Sequence, residues 1–418
     1  MIDPALETQV LATQTLYRFD NGLRLLVDPV ADQKTFAMTA LVQGGARYET
    51  QEQSGWAHLL EHMVFKGAGS RTTRQLAEAI EHKGGNLNAS TGYEHTRFEV
   101  RGLATLLPLA FEVVSDMMFR PTLDAAELKR EKKVVEQEML EAYDTPDDYV
   151  FDMLQAAMFA DQSLGRPILG TKASLKTATA ETLRAFVQTL YAPSRTVVCV
   201  SGGITPEDAL AAAQGWFDIA PEPATLIIPE PARFTAMESA QKRRIEQANV
   251  TMAWQAPGRL SPDNIPLKLF SEILGGGMAS RLFQQAREER GLAYDIDAWA
   301  TTYRDIGVLG ISAGCAAKDV AELTGLARDV LAGLATDPKT DELERARAQY
   351  LTGLAFNFQD TEWRSSAFAS QLSGFERVFS FEDETAEIEA VTLDDLKRVG
   401  GDILAQPKPA TAFLGPAR

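Results

Sequence analysis

Histidine is scarce in this sequence, cysteine is scarcer, and long apolar runs are missing. Among 418 residues there are only two cysteines, Cys199 and Cys315. Each lies inside an apolar, strand-like run, which predicts buried thiols and not a disulfide or a metal pair. A chain of this length can bury a core that needs no covalent staple, and its cysteine usage fits a reducing compartment. No apolar run reaches the roughly 20 residues of a membrane-spanning helix. The opening stretch Met1-Ile2-Asp3-Pro4-Ala5-Leu6-Glu7 shows no basic segment followed by an apolar one. No secretory or transit signal is read there, so a cytoplasmic location is expected. Basic residues are in deficit, 41 Lys and Arg against 58 Asp and Glu, for a net charge of −17. Nucleic acid and anionic membrane surfaces repel such a chain, and neither is expected as a partner. Basic peptides are compatible with it.

Of the four histidines, two fall in one short stretch, His58-Leu59-Leu60-Glu61-His62. On an α-helix, residues at i, i+3 and i+4 share a face. His58, Glu61 and His62 therefore project together. Two imidazoles one turn apart can grip one Zn²⁺, with Glu61 beside the metal to take a proton from an activated water. The pattern is the reverse of His-Glu-x-x-His and is itself a metallopeptidase signature. Zinc needs a third protein ligand. His82, next to a helix end, and His95, in a hairpin turn, suit the task less well than a carboxylate. In Glu131-Lys132-Lys133-Val134-Val135-Glu136-Gln137-Glu138, Glu131 and Glu138 lie two turns apart on one face. Val134 and Val135 are expected to anchor that side inward, and Glu136 to point elsewhere. The residues alone equally allow a solvated acidic helix.

The remaining pattern organises the chain. Residues 1–14 read as a loose arm. Residues 16–27 form a hairpin around Asp20-Asn21-Gly22. Further strands are predicted at 35–42, 87–93, 96–101 and 195–201. Helices are predicted at 73–83, 106–118, 124–142, 147–159, 181–190 and 205–217. Ser54 is expected to cap the helix of the histidine pair and Gly67 to end it, with Asp124 capping the long charged helix. A Pro-rich stretch, residues 219–235, divides an N-terminal half, 1–218, from a C-terminal half, 236–418. The halves echo each other. At an offset of 207, Thr73-Arg74 falls on Ser280-Arg281, Lys83-Gly84 on Arg290-Gly291 and Arg97 on Arg304; at 213, Gly202 falls on Gly415. A duplicated α+β fold is expected, with mostly antiparallel sheets packed against helices. The metal residues are not duplicated, because Ile265 and Leu269 stand at the positions of His58 and His62.

Together these motifs resemble the M16, or pitrilysin, family of zinc metallopeptidases. The likeness runs over about residues 16–415 and is nearest to the M16B subgroup, which includes the mitochondrial processing peptidase β subunit and bacterial relatives. It implies a zinc-dependent endopeptidase that cuts short or unfolded peptides in a closable chamber built from the two halves. It assigns Glu138 as the third ligand and Glu131 as the partner of a ligand imidazole. It makes Gly84-Gly85-Asn86-Leu87-Asn88-Ala89-Ser90-Thr91 an edge strand that pairs with substrate, with Asn88, Ala89, Ser90 and Thr91 as binding residues. It gives Tyr294 a role at the oxyanion and Arg287 a contact to a substrate carbonyl. From the residues alone, Arg287 could equally be a surface residue salt-bridged to Glu288 or Glu289. Because the chain carries both the zinc motif and the Arg/Tyr pair, self-sufficiency or a homodimer is favoured, with a heterodimer with a related M16 subunit as the alternative. The competing readings are a non-catalytic M16-like structural or partner subunit, and a metal-binding protein without hydrolysis.

Overall fold

The computed structural model describes residues 7–10, 13–215 and 228–416. They form two compact units. The first takes in the described residues of Met1–Met139, Pro167–Pro229 and Phe356–Phe379; the second takes in Leu140–Arg166, Glu230–Ala355 and Ser380–Arg418. Contact therefore divides the chain differently from sequence order. The segments 140–166 and 356–379 each leave the half in which they lie along the chain.

The first unit is built on a seven-stranded sheet. Its strands are β1 (Glu7–Val10), β2 (Thr15–Arg18), β3 (Arg24–Pro29), β4 (Thr35–Val42), β7 (Asn86–Thr91), β8 (Thr96–Leu103) and β9 (Thr196–Gly202). A two-stranded ribbon, β5 (Gly67–Ala68) and β6 (Arg71–Thr72), stands apart from it. The sheet order is β1-β2-β3-β9-β4-β8-β7, so β7 is an edge. Only β3 and β9 run parallel; the other pairs are antiparallel. The expected arm thus contributes a strand, with Glu7 opposite Arg18 and Val10 opposite Thr15.

The central strands are apolar on both sides because helices cover both faces. Leu25, Val27, Met38, Ala40, Val198 and Val200 pack into the main core with α1 (Trp56–Val64), α2 (Thr73–Glu81), α3 (Leu107–Phe119) and α7 (Ala180–Leu190). The alternate residues Leu26, Leu41, Val197 and Cys199 face the other way, onto Phe368, Ala369 and Leu372 of α12 (Thr361–Phe375). Strand period two thus sorts one continuous apolar run onto two different cores. The remaining helices of this part of the chain are α4 (Ala125–Asp144), α5 (Pro146–Met158), α6 (Lys172–Thr177) and α8 (Pro206–Ala213).

The second unit repeats the design. Its strands β10 (Glu238–Arg243), β11 (Ala248–Ala256), β12 (Ala293–Thr302), β13 (Gly307–Cys315) and β14 (Ala410–Pro416) take the order β10-β14-β11-β13-β12. β10 and β14 are parallel and the rest antiparallel. This is the order and sense of β3-β9-β4-β8-β7, strand for strand, which establishes the duplication. α5 packs on β14, β11 and β10, as α12 packs on β4, β9 and β3 of the first unit. Each sheet is therefore covered on one face by a helix that lies in the other half of the sequence. The helices α9 (Asn264–Gly275), α10 (Val320–Thr336), α11 (Thr340–Asn357), α13 (Phe381–Ala390) and α14 (Leu393–Leu404) complete the fold.

Both cysteines are free and buried, as expected. Residues 219–227 of the expected linker, and the end of the helix predicted to reach 217, lie outside the described residues. The stretch that follows is tied into the second unit: Arg233 N–H donates to Gln162 Oε1 at 2.7 Å, and Thr235 N–H to Met158 O at 2.9 Å. Among the described residues no helix is long and apolar enough to cross a membrane.

Candidate metal centre

α1 carries the histidine pair, and its start is set by a glycine and a distant carboxylate. Ser54 does not cap it, contrary to the sequence expectation. The N-cap is Gly55, with φ of 87°. A Cβ there would be strained by that φ and would approach Leu169 O to 2.6 Å. The first helical N–H groups are met by buried Glu49, whose Oε2 accepts from Gly55 N at 2.9 Å and Oε1 from Ala57 N at 2.7 Å. A carboxylate at a helix N-terminus satisfies orphan donors and suits the helix dipole. Glu49→Ala is therefore expected to destabilise the protein by about 1–2 kcal/mol, read as the shift in urea unfolding of the metal-free chain. Glu49→Gln, which keeps one acceptor, should lose less. The helix ends at Val64, capped by Phe65, before Gly67 is reached.

α4 supplies the second side of the centre. Asp124 Oδ1 accepts from Ala126 N at 2.8 Å and Glu127 N at 3.0 Å, the expected cap. Val135 is fully buried, but Val134 is 41% exposed, so only one of the two valines anchors the helix. Glu131, Val135 and Glu138 are spaced i, i+4, i+7 and share the inward face.

His58, His62 and Glu138 come together. One ligand atom from each lies within 4.8 Å of the others. Glu138 Oε2 is 3.4 Å from His62 Nε2 and 3.9 Å from His58 Nε2. A tetrahedral zinc with bonds of about 2.0–2.1 Å spaces its ligand atoms by roughly 3.3 Å. His62 Nδ1 lies 3.1 Å from Glu131 Oε2, a buried acceptor. An Nδ1–H donated to Glu131 leaves Nε2 of His62 facing Glu138. Burial, and His62 beside it, lower the His58 pKa to about 4, so His58 is uncharged near neutral pH. Glu138 Oε2 is buried without a hydrogen-bond donor. Two imidazole nitrogens and a carboxylate oxygen that converge, with no hydrogen bond satisfying that oxygen, fit a cation. Among the described residues this is the one such group of His, Cys, Asp and Glu.

Glu61 stands beside the trio. Burial pushes its carboxyl up, and the Thr91 hydroxyl and main-chain N–H, with His62, pull it part of the way back. Its Oε2 is buried without a partner. Thr91 ends β7, the expected edge strand, where Asn88 and Ser90 are exposed and Ala89 is buried. Arg287 and Tyr294 belong to the second unit. Arg287 lies in a π-helical turn, Phe283–Glu288, with its guanidinium 4.7 Å from the Phe283 ring centre and 5.1 Å from that of Tyr294. Among the described residues it makes no ion pair with Glu288 or Glu289. Tyr294 is 77% exposed and sits at the register shift that opens β12. Sequence reasoning missed Glu49 and Lys66, whose Nζ lies 3.0 Å from Glu131 Oε1.

Residues 27–172 match the family model described as insulinase, peptidase family M16, and residues 177–350 match that of the peptidase M16 inactive domain. The chain is 30% identical over 402 residues to the uncharacterized zinc protease YmxG of Bacillus subtilis, covering 96% of this chain and 98% of the relative. It is 31% identical to the uncharacterized zinc protease SCO5738 of Streptomyces coelicolor, covering 95% and 88%. The crystal structure of a protease from Helicobacter pylori superposes with a TM-score of 0.89 at 20% identity, over 99% of this chain and all of that one. A peptidase M16 inactive domain from Pseudomonas fluorescens gives the same score and identity, over 99% and 98%. These two share the fold. The chain belongs to the M16 peptidase family, whose relatives named here are called zinc proteases.

Proposed function

We propose that the protein is a zinc-dependent endopeptidase acting on short or unfolded peptides. The convergence of His58, His62 and Glu138 beside a buried Glu61 carries this reading. The three ligand residues would hold the ion. When bound, zinc supplies a Lewis acid that acidifies water and favours negative charge on a carbonyl oxygen. Glu61 takes a proton and later returns it to the leaving amine. Its raised carboxyl suits both duties, since a group that is too acidic returns the proton poorly. Glu131 holds the Nδ1 proton of His62, as partners of ligand histidines do. The open edge of β7 binds an extended peptide by main-chain hydrogen bonds, with Asn88, Ala89, Ser90 and Thr91 along it. Tyr294 offers a hydroxyl to the oxyanion and Arg287 a contact to a substrate carbonyl. As one chain carries all of these groups, no subunit of another sequence is required, and a homodimer is the proposed working form.

Digestion of a mixed peptide library tests the reading. Cleavage is expected, lost on chelation and restored by zinc. Glu138→Gln should weaken zinc at least about tenfold, the lower bound for loss of even an outer partner of a ligand, measured by competition with a chelator. A wild-type chain that binds no zinc, or that cuts equally well when stripped of metal, would overturn it.

A further inference from the structure

Glu131 is a buried carboxylate with one nitrogen partner at each oxygen. Oε2 faces His62 Nδ1 at 3.1 Å, and Oε1 faces Lys66 Nζ at 3.0 Å. The Glu131 side chain is 6% exposed and that of Lys66 is 27% exposed. A carboxylate so far from water needs an opposite charge close by. A carboxylate with only one partner could also rotate about its last bond and present either oxygen, or an edge between them, to the imidazole.

The main chain fixes where the lysine starts. Lys66 N–H donates to Met63 O at 3.1 Å, closing the turn after α1. Gly67 follows with φ of 135°, and its carbonyl accepts from Thr122 N at 2.9 Å and Thr122 Oγ1 at 3.1 Å. The ammonium therefore reaches Glu131 from a pinned backbone. The spacing His58, His62, Lys66 repeats every four residues, although α1 stops at Val64.

We infer that Lys66 is a positioning residue of the metal centre. By holding Oε1 it turns Oε2 onto Nδ1 of His62, which fixes the proton on that nitrogen and the plane of the ring, and so presents Nε2 to the ion. The inference rests on the zinc reading above and assigns the centre one layer more than the resemblance implied.

The test is a set of zinc dissociation constants, measured by chelator competition on the full chain. Lys66→Met should weaken zinc about five- to tenfold, somewhat less than the roughly 10–100-fold expected when a direct partner of a ligand histidine is lost. Lys66→Arg should stay within about twofold of wild type on the same scale. In a Glu131→Gln background, Lys66→Met should add nothing, because its action passes through Glu131. The inference falls if Lys66→Met binds zinc as wild type does, if Lys66→Arg is as weak as Lys66→Met, or if Lys66→Met weakens zinc equally with and without Glu131. A wild-type chain that binds no zinc is a separate result, and it removes the metal centre itself.

Discussion

Glu61→Gln is expected to lower peptide turnover by about 10²–10⁴-fold, the usual worth of a positioned proton-transfer group, while zinc stays bound. Glutamine has nearly the same volume and can still bond to Thr91, but it cannot accept a proton. The proposed ligand atoms are those of His58, His62 and Glu138, so the exchange leaves them untouched. Turnover of a fluorogenic peptide and zinc per chain are measured on one sample. A loss below about tenfold would remove Glu61 from proton transfer. A loss of zinc would instead place Glu61 among the ligands. Both results differ from a folding defect, which would also shift thermal unfolding of the metal-free chain.

The site was legible in the sequence to the extent that it is local. His58, Glu61 and His62 sit within five residues, and helix geometry alone brings them together. Glu138 lies on a second helix, and the local pattern around it misled. Val134 and Val135 look equivalent in sequence, yet only Val135 is buried. The i, i+4, i+7 stripe of Glu131, Val135 and Glu138 was the available signal, and the resemblance was needed to choose it. Lys66 and Glu49 escaped for another reason. Each acts across a chain reversal, and nothing in the local periodicity reports where the chain turns back. Lys66 had a faint marker in its four-residue spacing from His62, which the end of α1 obscures.

The fold was legible in the same graded way. Strands at 35–42 and 196–202 and the hairpin around Asn21 follow from apolar runs and turn residues. The repeat was visible at offsets of 207 and 213 and returns as the same order of five strands in each sheet. What amphipathic pattern cannot reveal is which sheet a helix will cover. α5 has an apolar stripe that demands a partner, whereas α12 buries Ser365 and Ser373 along with Phe368, Ala369 and Leu372 and gives a weak signal. The choice is made by groups distant in sequence, and in α12 these are charged.

Removing that choice should be costly. Arg364 of α12 donates Nε to Asp28 Oδ2 and Nη2 to Asp28 Oδ1, both at 2.7 Å. Asp28 is fully buried on β3, and Arg364 also donates Nη1 to Phe358 O at 3.1 Å. Two parallel bonds in a dry setting are the strong form of this pair. Arg364→Met should therefore destabilise the first unit by about 3–5 kcal/mol, because it leaves the buried Asp28 carboxylate without an opposite charge and with only Gln14 Nε2 donating to it, at 3.1 Å. Arg364→Lys should recover only part, since an ammonium cannot reproduce the fork. The double variant Asp28→Leu with Arg364→Met should be close to wild type or better, as apolar replacement of a buried pair often is. The measurement is native-state hydrogen exchange of β3 and β9 amides, which reports the first unit alone where whole-chain melting would mix both. A single-variant loss below about 1 kcal/mol would mean that water relieves Asp28, and that the apolar contacts of Phe368 and Leu372 suffice to hold α12 on its sheet.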